Sequence, residues 1–248
     1  MRKPSLNRRQ LLAATAATGV ALAAATQSSL AAEDPSDLAG KSVLITGCSS
    51  GFGMLGAVHY AELGAKVFAT MRGLPRMEAE ELAALADAGD LDITILELDV
   101  LSDDSVNKAV AEAERLSGGA LDVVINNAGI VRDRMFFNMS LEEWQAVIDV
   151  NLTGAFNVAR AVAPHFKAQE SGSCVNITST SGLIGNNAQA NYAAAKMGIV
   201  ALSRTIASDM ARYNVRSNCI APFAWTRMTS SVPTDTPEQQ ARVERFKR

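Results

Sequence analysis

Cysteine and histidine are scarce in this chain. Its 248 residues hold three cysteines, Cys48, Cys174 and Cys219, and two histidines, His59 and His165, none near another. Such spacing offers neither a disulfide framework nor a metal-ligand set. Each cysteine reads as a small buried residue, each histidine as an ordinary helix residue. A bias of charge is lacking too: 23 Lys and Arg stand against 26 Asp and Glu, for a net charge of -3. Without a basic stripe, nucleic acid is not an expected partner. A membrane span is not expected in the mature chain either. The uncharged run from Leu11 to Ala25 is mostly alanine and falls short of the ~20 apolar residues a spanning helix needs.

That run belongs to a segment unlike the rest. Arg2, Lys3, Arg8 and Arg9 precede it, and the small residues Ser29, Ala31 and Ala32 follow it ahead of the polar "EDPSD". A basic start, a short apolar stretch and small residues make up the layout of a signal peptide. The pair Arg8-Arg9 before Gln10-Leu11-Leu12 resembles a twin-arginine signal. Residues 1–37 are therefore expected to direct export to the periplasm, with a cytoplasmic location if the signal is not used. The other reading is a basic tail with an alanine-rich helix.

From Lys41 onward, short apolar runs alternate with helical stretches. Strands are predicted at "KSVLIT", "AKVFAT", "DITILELDV", "LDVVINNAG", "SCVNITST" and "VRSNCIAP". Helices are predicted between them, including a long one from Leu141 to Gln169 and another from Asn191 to Arg212. Near-continuous apolar strands alternating with helices imply a parallel sheet covered on both faces. The fold class is α/β, a doubly wound, Rossmann-type parallel sheet in a single domain over residues 38–248, with six recognisable strands.

The stretch "TGCSSGFG" places Gly47, Gly51 and Gly53 between the first strand and the first helix, with Ser49, Ser50 and Phe52 among them. Glycines let the backbone turn tightly and let a pyrophosphate approach the helix N-terminus, where unpaired amides favour anions. No Gly-Lys-Ser/Thr follows, which excludes the phosphate loop of ATPases. After the second strand, where an acid would read a ribose 2'-hydroxyl, there is none; Met71 and Arg72 stand there. A guanidinium can pair with a 2'-phosphate as a planar fork. The cofactor expectation is therefore NADP ahead of NAD, with Arg72 as a solvated loop residue the alternative.

In "NYAAAKMG", Tyr192 and Lys196 are four positions apart, on one face of a helix. One reading is a core aromatic beside a solvated ammonium. The other is a tyrosine tuned for proton exchange, since a nearby cation favours the phenolate and lowers a pKa of about 10.

Taken together, "TGCSSGFG", "NNAG", Asn151, Ser179 and "YAAAK" resemble the short-chain dehydrogenase/reductases over roughly residues 41–230. Within that family "NNAGIVRDRMF", "GNNAQANYAAAKMG" and "IAPFAWTRMT" look most like 3-oxoacyl thioester reductases and (3R)-hydroxyacyl-CoA dehydrogenase domains. The resemblance implies hydride transfer between a nicotinamide cofactor and a ketone or secondary alcohol. It assigns catalysis to Asn151, Ser179, Tyr192 and Lys196. Tyr192 exchanges the proton; Lys196 is its electrostatic partner and holds the nicotinamide ribose. Ser179 donates to the substrate oxygen. By chemistry alone Thr178, Thr180 and Ser181 are its rivals, and only the family spacing selects it. Asn151 holds a water linking Lys196 to solvent; otherwise it is a helix asparagine bonding locally. Asn127, Ala128, Gly129 and Pro222 are expected along the cofactor, and Asp99 and Val100 beside the adenine, with a helix-capping role the alternative for Asp99. A competing function is a dinucleotide-binding sensor without turnover.

The sequence departs from the family where Pro222 is followed by Phe223 rather than glycine, and Phe223 and Trp225 would add bulk near the substrate. The segment "SSVPTDTPEQQARVERFKR" reads as a lid. A further helix and seventh strand, normal in the family, are not recognisable after it. The expectation is an open edge on the sixth strand, which puts the family's usual homo-oligomer in doubt. Export would also favour a sterol, polyol, sugar or xenobiotic carbonyl as substrate over a thioester.

Overall fold

The computed structural model describes residues 37–222 and, beyond them, 236–238, 240, 241 and 244. The chain divides into two units, Met1–Asp37 and Leu38–Arg248. The signal expected in residues 1–37 lies outside the described residues, Asp37 apart. So do Phe223, Trp225 and most of the expected lid, and the expected absence of a seventh strand falls on the same stretch.

Six strands form one sheet: β1 (Ser42–Ile45), β2 (Lys66–Met71), β3 (Ile93–Glu97), β4 (Val123–Asn126), β5 (Gly172–Ile177) and β6 (Val215–Ile220). All pairings are parallel, in the order β3-β2-β1-β4-β5-β6. The helices are α1 (Gly51–Glu62), α2 (Met77–Gly89), α3 (Asp103–Leu116), α4 (Leu141–Ile148), α5 (Gly154–Gln169), the short α6 (Thr180–Ile184) and α7 (Ala190–Met210).

The apolar runs form buried strands because side chains alternate across the sheet. Leu44, Phe68, Val124 and Cys174 point to one face, where Val106 and Val110 of α3 and Val158, Val162 and Phe166 of α5 cover them. Val43, Ile45, Val67, Ala69 and Ile125 point to the other, under Ala57 and Ala61 of α1 and Leu82 of α2. Both faces are thus sealed, as the near-continuous apolar strands require. The strand order reverses between β1 and β4, and in such sheets ligands bind outside the carboxyl ends of the strands at that switch.

One predicted helix differs, and β3, β4, β5 and β6 each end before the expected runs do. The helix expected over 141–169 is broken by a π-turn at Asp149–Thr153. Its cause is Asn151, whose Nδ2 donates to the carbonyl of Val147 at 2.9 Å, the acceptor the helical ladder would use four residues back. The fifth strand ends at Ile177 instead of running on to residue 180. Ser179 lies beyond its end as the cap of α6, its hydroxyl accepting from the N–H of Ser181 at 3.1 Å.

Candidate active site

A cavity of about 330 Å³ opens at the switch point between β1 and β4. One wall is the glycine loop, with Gly47, Ser49, Ser50, Gly51 and Phe52. Opposite stand Asn127, Ala128 and Gly129 after β4; Arg72 follows β2, and Asp99 and Val100 follow β3. Of the residues expected at the cofactor, Gly53, Tyr192, Lys196 and Pro222 are not among the lining ones. Gly53 packs instead: a Cβ there would strike the Gly47 carbonyl. Met71, named beside Arg72 at the end of β2, lines the cavity too, as do Arg76, Leu98, Ile130 and Val150, which the sequence reading did not name. For Arg76 a signal existed, a second arginine four positions after Arg72.

The loop fits a dinucleotide. Gly47 has φ +73°, and a Cβ on it would sit 2.8 Å from the Ala128 Cα, so only glycine lets the two loops meet. Ser50 precedes α1 but makes no side-chain cap bond, and no acid stands in the first turn. The first amides of α1 are left for an anion. Asn127 ties the walls together: its Nδ2 donates to the carbonyls of Thr46 at 2.9 Å and Gly47 at 3.2 Å. Thr46 Oγ1 in turn accepts from the N–H groups of Asn127 and Ala128, both at 3.0 Å. Asp99 is not the helix cap that was its alternative reading. It lines the cavity, and its Oδ1 accepts from the N–H of Leu101 at 2.9 Å to shape the turn, while Ser102 is the residue that caps α3.

Arg72 is exposed at the rim. Its carbonyl accepts from Arg76 Nη1 at 3.0 Å. Arg76 is also gripped by Glu78, Nε to Oε2 and Nη2 to Oε1, both at 2.9 Å.

Beyond Gly129 the four residues of the resemblance meet. Tyr192 and Lys196 lie on one face of α7, with Nζ 5.5 Å from the centroid of the ring. Lys196 is 3% exposed. Its Nζ donates to the Ile177 carbonyl at 2.7 Å, while the Thr178 hydroxyl donates to the Lys196 carbonyl at 2.6 Å. Burial pulls its ammonium down to about 8, against a smaller upward pull from Cys219. Tyr192 departs from expectation. Burial raises its pKa above 10.0, a hydrogen bond from the Ser179 hydroxyl pulls it down, and Asp133 pushes it up again. The net shift is upward because burial dominates the phenol, and the short hydrogen bond of the Lys196 ammonium goes to Ile177. Among the four hydroxyls weighed at the end of β5, Ser179 faces the phenol and Thr178 is committed to Lys196.

Asn151 is 1% exposed. Its Nδ2 donates to the carbonyls of Ile130 and Val147, both at 2.9 Å, but its Oδ1 has no partner. A Cβ on Gly129 would lie 2.5 Å from that oxygen and 3.6 Å from Lys196 Nζ. Gly129 therefore keeps open the space into which an unsatisfied acceptor and a buried ammonium both look.

Residues 41–237 match the family model described as short chain dehydrogenase. The chain belongs to that family. It is 40% identical over 207 residues to a 3-oxoacyl-[acyl-carrier-protein] reductase of Thermotoga maritima, covering 81% of each chain. It is 42% identical over 217 residues to a hydroxyacyl-CoA dehydrogenase of Mycobacterium tuberculosis, covering 83% of this chain and 68% of the other. The crystal structure of a gluconate 5-dehydrogenase from Burkholderia cenocepacia, in complex with NADP and tartrate, superposes with a TM-score of 0.76 at 32% identity, over 83% of this chain and 80% of that one. As a short-chain dehydrogenase, the protein is an NAD(P)-dependent oxidoreductase of ketones or alcohols. These relatives give the sensor reading no support. Among the described residues no helix is long and apolar enough to cross a membrane.

Proposed function

We propose that the protein interconverts a 3-oxoacyl and a 3-hydroxyacyl thioester, with NADP preferred over NAD. The observation carrying the mechanism is the convergence of Ser179, Tyr192, Lys196 and Asn151 beyond Gly129. The thioester class rests on the relatives, a 3-oxoacyl reductase and a hydroxyacyl-CoA dehydrogenase. When bound, the nicotinamide supplies or accepts the hydride. In reduction the Ser179 hydroxyl donates to the substrate oxygen and the Tyr192 phenol hands over its proton. A phenol whose pKa is raised by burial is fully protonated near neutrality, which suits a proton donor. The Lys196 ammonium stabilises the phenolate left behind through its field. Asn151 Oδ1, buried and unpartnered, is the acceptor for a water that returns protons toward Lys196. Arg72, with Arg76 behind it, supplies the cations for a 2'-phosphate.

The test is consumption of NADPH by the purified chain across a panel of 3-oxoacyl thioesters, simple ketones and sugar ketones. Turnover on ketones but not on thioesters overturns the substrate class and leaves the reaction type standing. The pair Arg8-Arg9 favours a second reading of location, in which residues 1–37 direct export and the substrate is a sterol, polyol, sugar or xenobiotic carbonyl. Cell fractionation with sequencing of the mature N-terminus decides it, since an intact Met1 in the cytosol removes the export reading.

A further inference from the structure

The residue immediately before Tyr192 joins three parts of the chain. Asn191 is fully buried, at 0% exposure. Its Oδ1 accepts from the backbone N–H of Tyr192 at 2.7 Å. Its Nδ2 donates to the carbonyls of Arg132 and Glu143, both at 3.0 Å. One carboxamide thus holds the first turn of α7, the loop leaving β4 and the helix α4. Both of its N–H donors are spent, and its oxygen caps an amide that a helix start otherwise leaves without an intrahelical partner. Gln189, the residue preceding α7, makes no such cap.

Other bonds cross the same seam. The N–H of Arg134 donates to the Ala188 carbonyl at 2.8 Å. Gln189 Nε2 donates to the Asp133 carboxylate at 3.2 Å. Arg134 pairs with Glu143 at 2.8 Å. The Arg134 and Gln189 side-chain bonds are exposed, and exposed polar pairs contribute little. Asn191 is the buried member, where losing one partner leaves the others unsatisfied at full desolvation cost. The loop it grips begins at Gly129, which borders Lys196 and Asn151.

We infer that Asn191 is a positioning residue: its carboxamide fixes Tyr192 against the loop that starts at Gly129, so that the phenol keeps its working distance from the substrate oxygen. This rests on the reading of Tyr192 as proton donor. Asn191→Ala removes all three bonds. Asn191→Ser keeps a small polar group and is the milder form should the alanine variant not fold. Val162→Ala, in the core of α5, is the control for lost stability away from the site. The readouts are kcat with a ketone substrate, the dissociation constant for NADPH by fluorescence titration, and the melting temperature.

Either Asn191 variant is expected to lose roughly tenfold to a hundredfold in kcat, the scale of a misplacement of about 1 Å, with NADPH affinity unchanged. Val162→Ala melts earlier and keeps its kcat. The inference is overturned if the Asn191 variants melt earlier with kcat intact, or if kcat and NADPH affinity fall together. Tyr192→Phe separates the two claims. If it turns over normally, the reading of Tyr192 fails. If it is inactive while Asn191→Ala runs at full speed, only the role of Asn191 fails.

Discussion

Lys196 lies 5.5 Å from the centre of the Tyr192 ring, yet its short hydrogen bond goes to the Ile177 carbonyl at 2.7 Å. The sheet, rather than the phenol, sets where the cation sits. Thr178 reinforces this by donating to the carbonyl of the same lysine at 2.6 Å. The ammonium is held ready beside the tyrosine and acts on it as a field, while burial keeps the phenol protonated.

Removing the phenolic proton should therefore stop the reaction without emptying the cofactor site. Tyr192→Phe is expected to lose on the order of 10²–10⁴-fold in kcat, with NADPH affinity retained. Because the pKa of Tyr192 lies above its ordinary value, alcohol oxidation, which needs the phenolate, should rise with pH through the alkaline range. Ketone reduction, which needs the phenol, should not. Steady-state rates in both directions against pH check this, and oxidation that is already flat at neutral pH would contradict it.

Lys196 offers a test through stability. Its pKa falls from 10.5 to about 8 because burial disfavours the charge. Between those values the unfolded chain binds a proton that the folded chain does not, so stability rises with pH across this window. Below about 8 both states are charged and the cost is fully present. Lys196→Met removes that cost. Denaturant unfolding should show the variant to be the more stable at neutral pH, with the gap closing between pH 8 and 10.5. A gap that does not change with pH would mean that the lysine is not strained by burial.

The strands could be read in advance because both faces of the sheet are sealed. Val43–Ile45 and Val67–Met71 are buried on either side, so they appear as near-continuous apolar runs, with the buried Thr70 the one polar member. The glycine loop was legible for a similar reason, since a turn that crowds Ala128 needs residues without side chains. The π-turn was not. It depends on the Asn151 carboxamide, which bonds both the Val147 carbonyl four residues back and the Ile130 carbonyl 21 residues back, and the longer tie leaves no periodicity. The direction of the Tyr192 shift was missed likewise. Spacing along a helix reports which residues are neighbours; how deeply α7 is buried and where the lysine bonds are properties of the packed sheet. Asn191 escaped notice because one asparagine in a first turn looks like any other.

Gly129 should be intolerant for a reason unrelated to turn geometry. A methyl there would sit 2.5 Å from Asn151 Oδ1 and 3.6 Å from Lys196 Nζ. Gly129→Ala is expected to cut kcat by about tenfold or more, since it displaces two groups at the reacting end of the site. Gly51→Ala, where a Cβ meets no protein atom within 4 Å, should cost the strain of its φ of +57°, about 1–2 kcal/mol, and weaken cofactor binding rather than kcat. Comparing kcat and denaturant midpoints of the two variants separates the effects. Equal kcat losses would mean that the space beside Gly129 has no role.

The cysteines divide by burial. Cys48 and Cys174 are 0% and 2% exposed, and burial pushes both thiols up to about 12. Cys219 is half-buried. An alkylating reagent at mildly alkaline pH should modify Cys219 alone in the native protein and all three after unfolding, read by mass spectrometry. The folded state keeps two thiol protons that the unfolded state releases from pH 9.0 upward, so these groups contribute stability that declines as pH rises toward 12. Rapid native labelling of Cys48 would indicate that the glycine loop opens.

Cofactor choice turns on two arginines of unequal freedom. Arg76 reaches the cavity wall, but Glu78 holds one edge of its guanidinium through two bonds of 2.9 Å. Arg72 stands exposed at the rim, and its backbone carbonyl accepts from Arg76. A 2'-phosphate should therefore take its charge-assisted bonds mainly from Arg72, with Arg76 pre-oriented behind it. Such bonds contribute about 1.5–3 kcal/mol, so Arg72→Ala should lower kcat/KM for NADPH on the order of tenfold or more, with NADH little affected. Arg76→Ala should move the same ratio less, because the Arg76 guanidinium is already engaged by Glu78. A ratio unchanged in both variants would remove the 2'-phosphate role from this end of β2 and leave NADP preference without a residue to carry it.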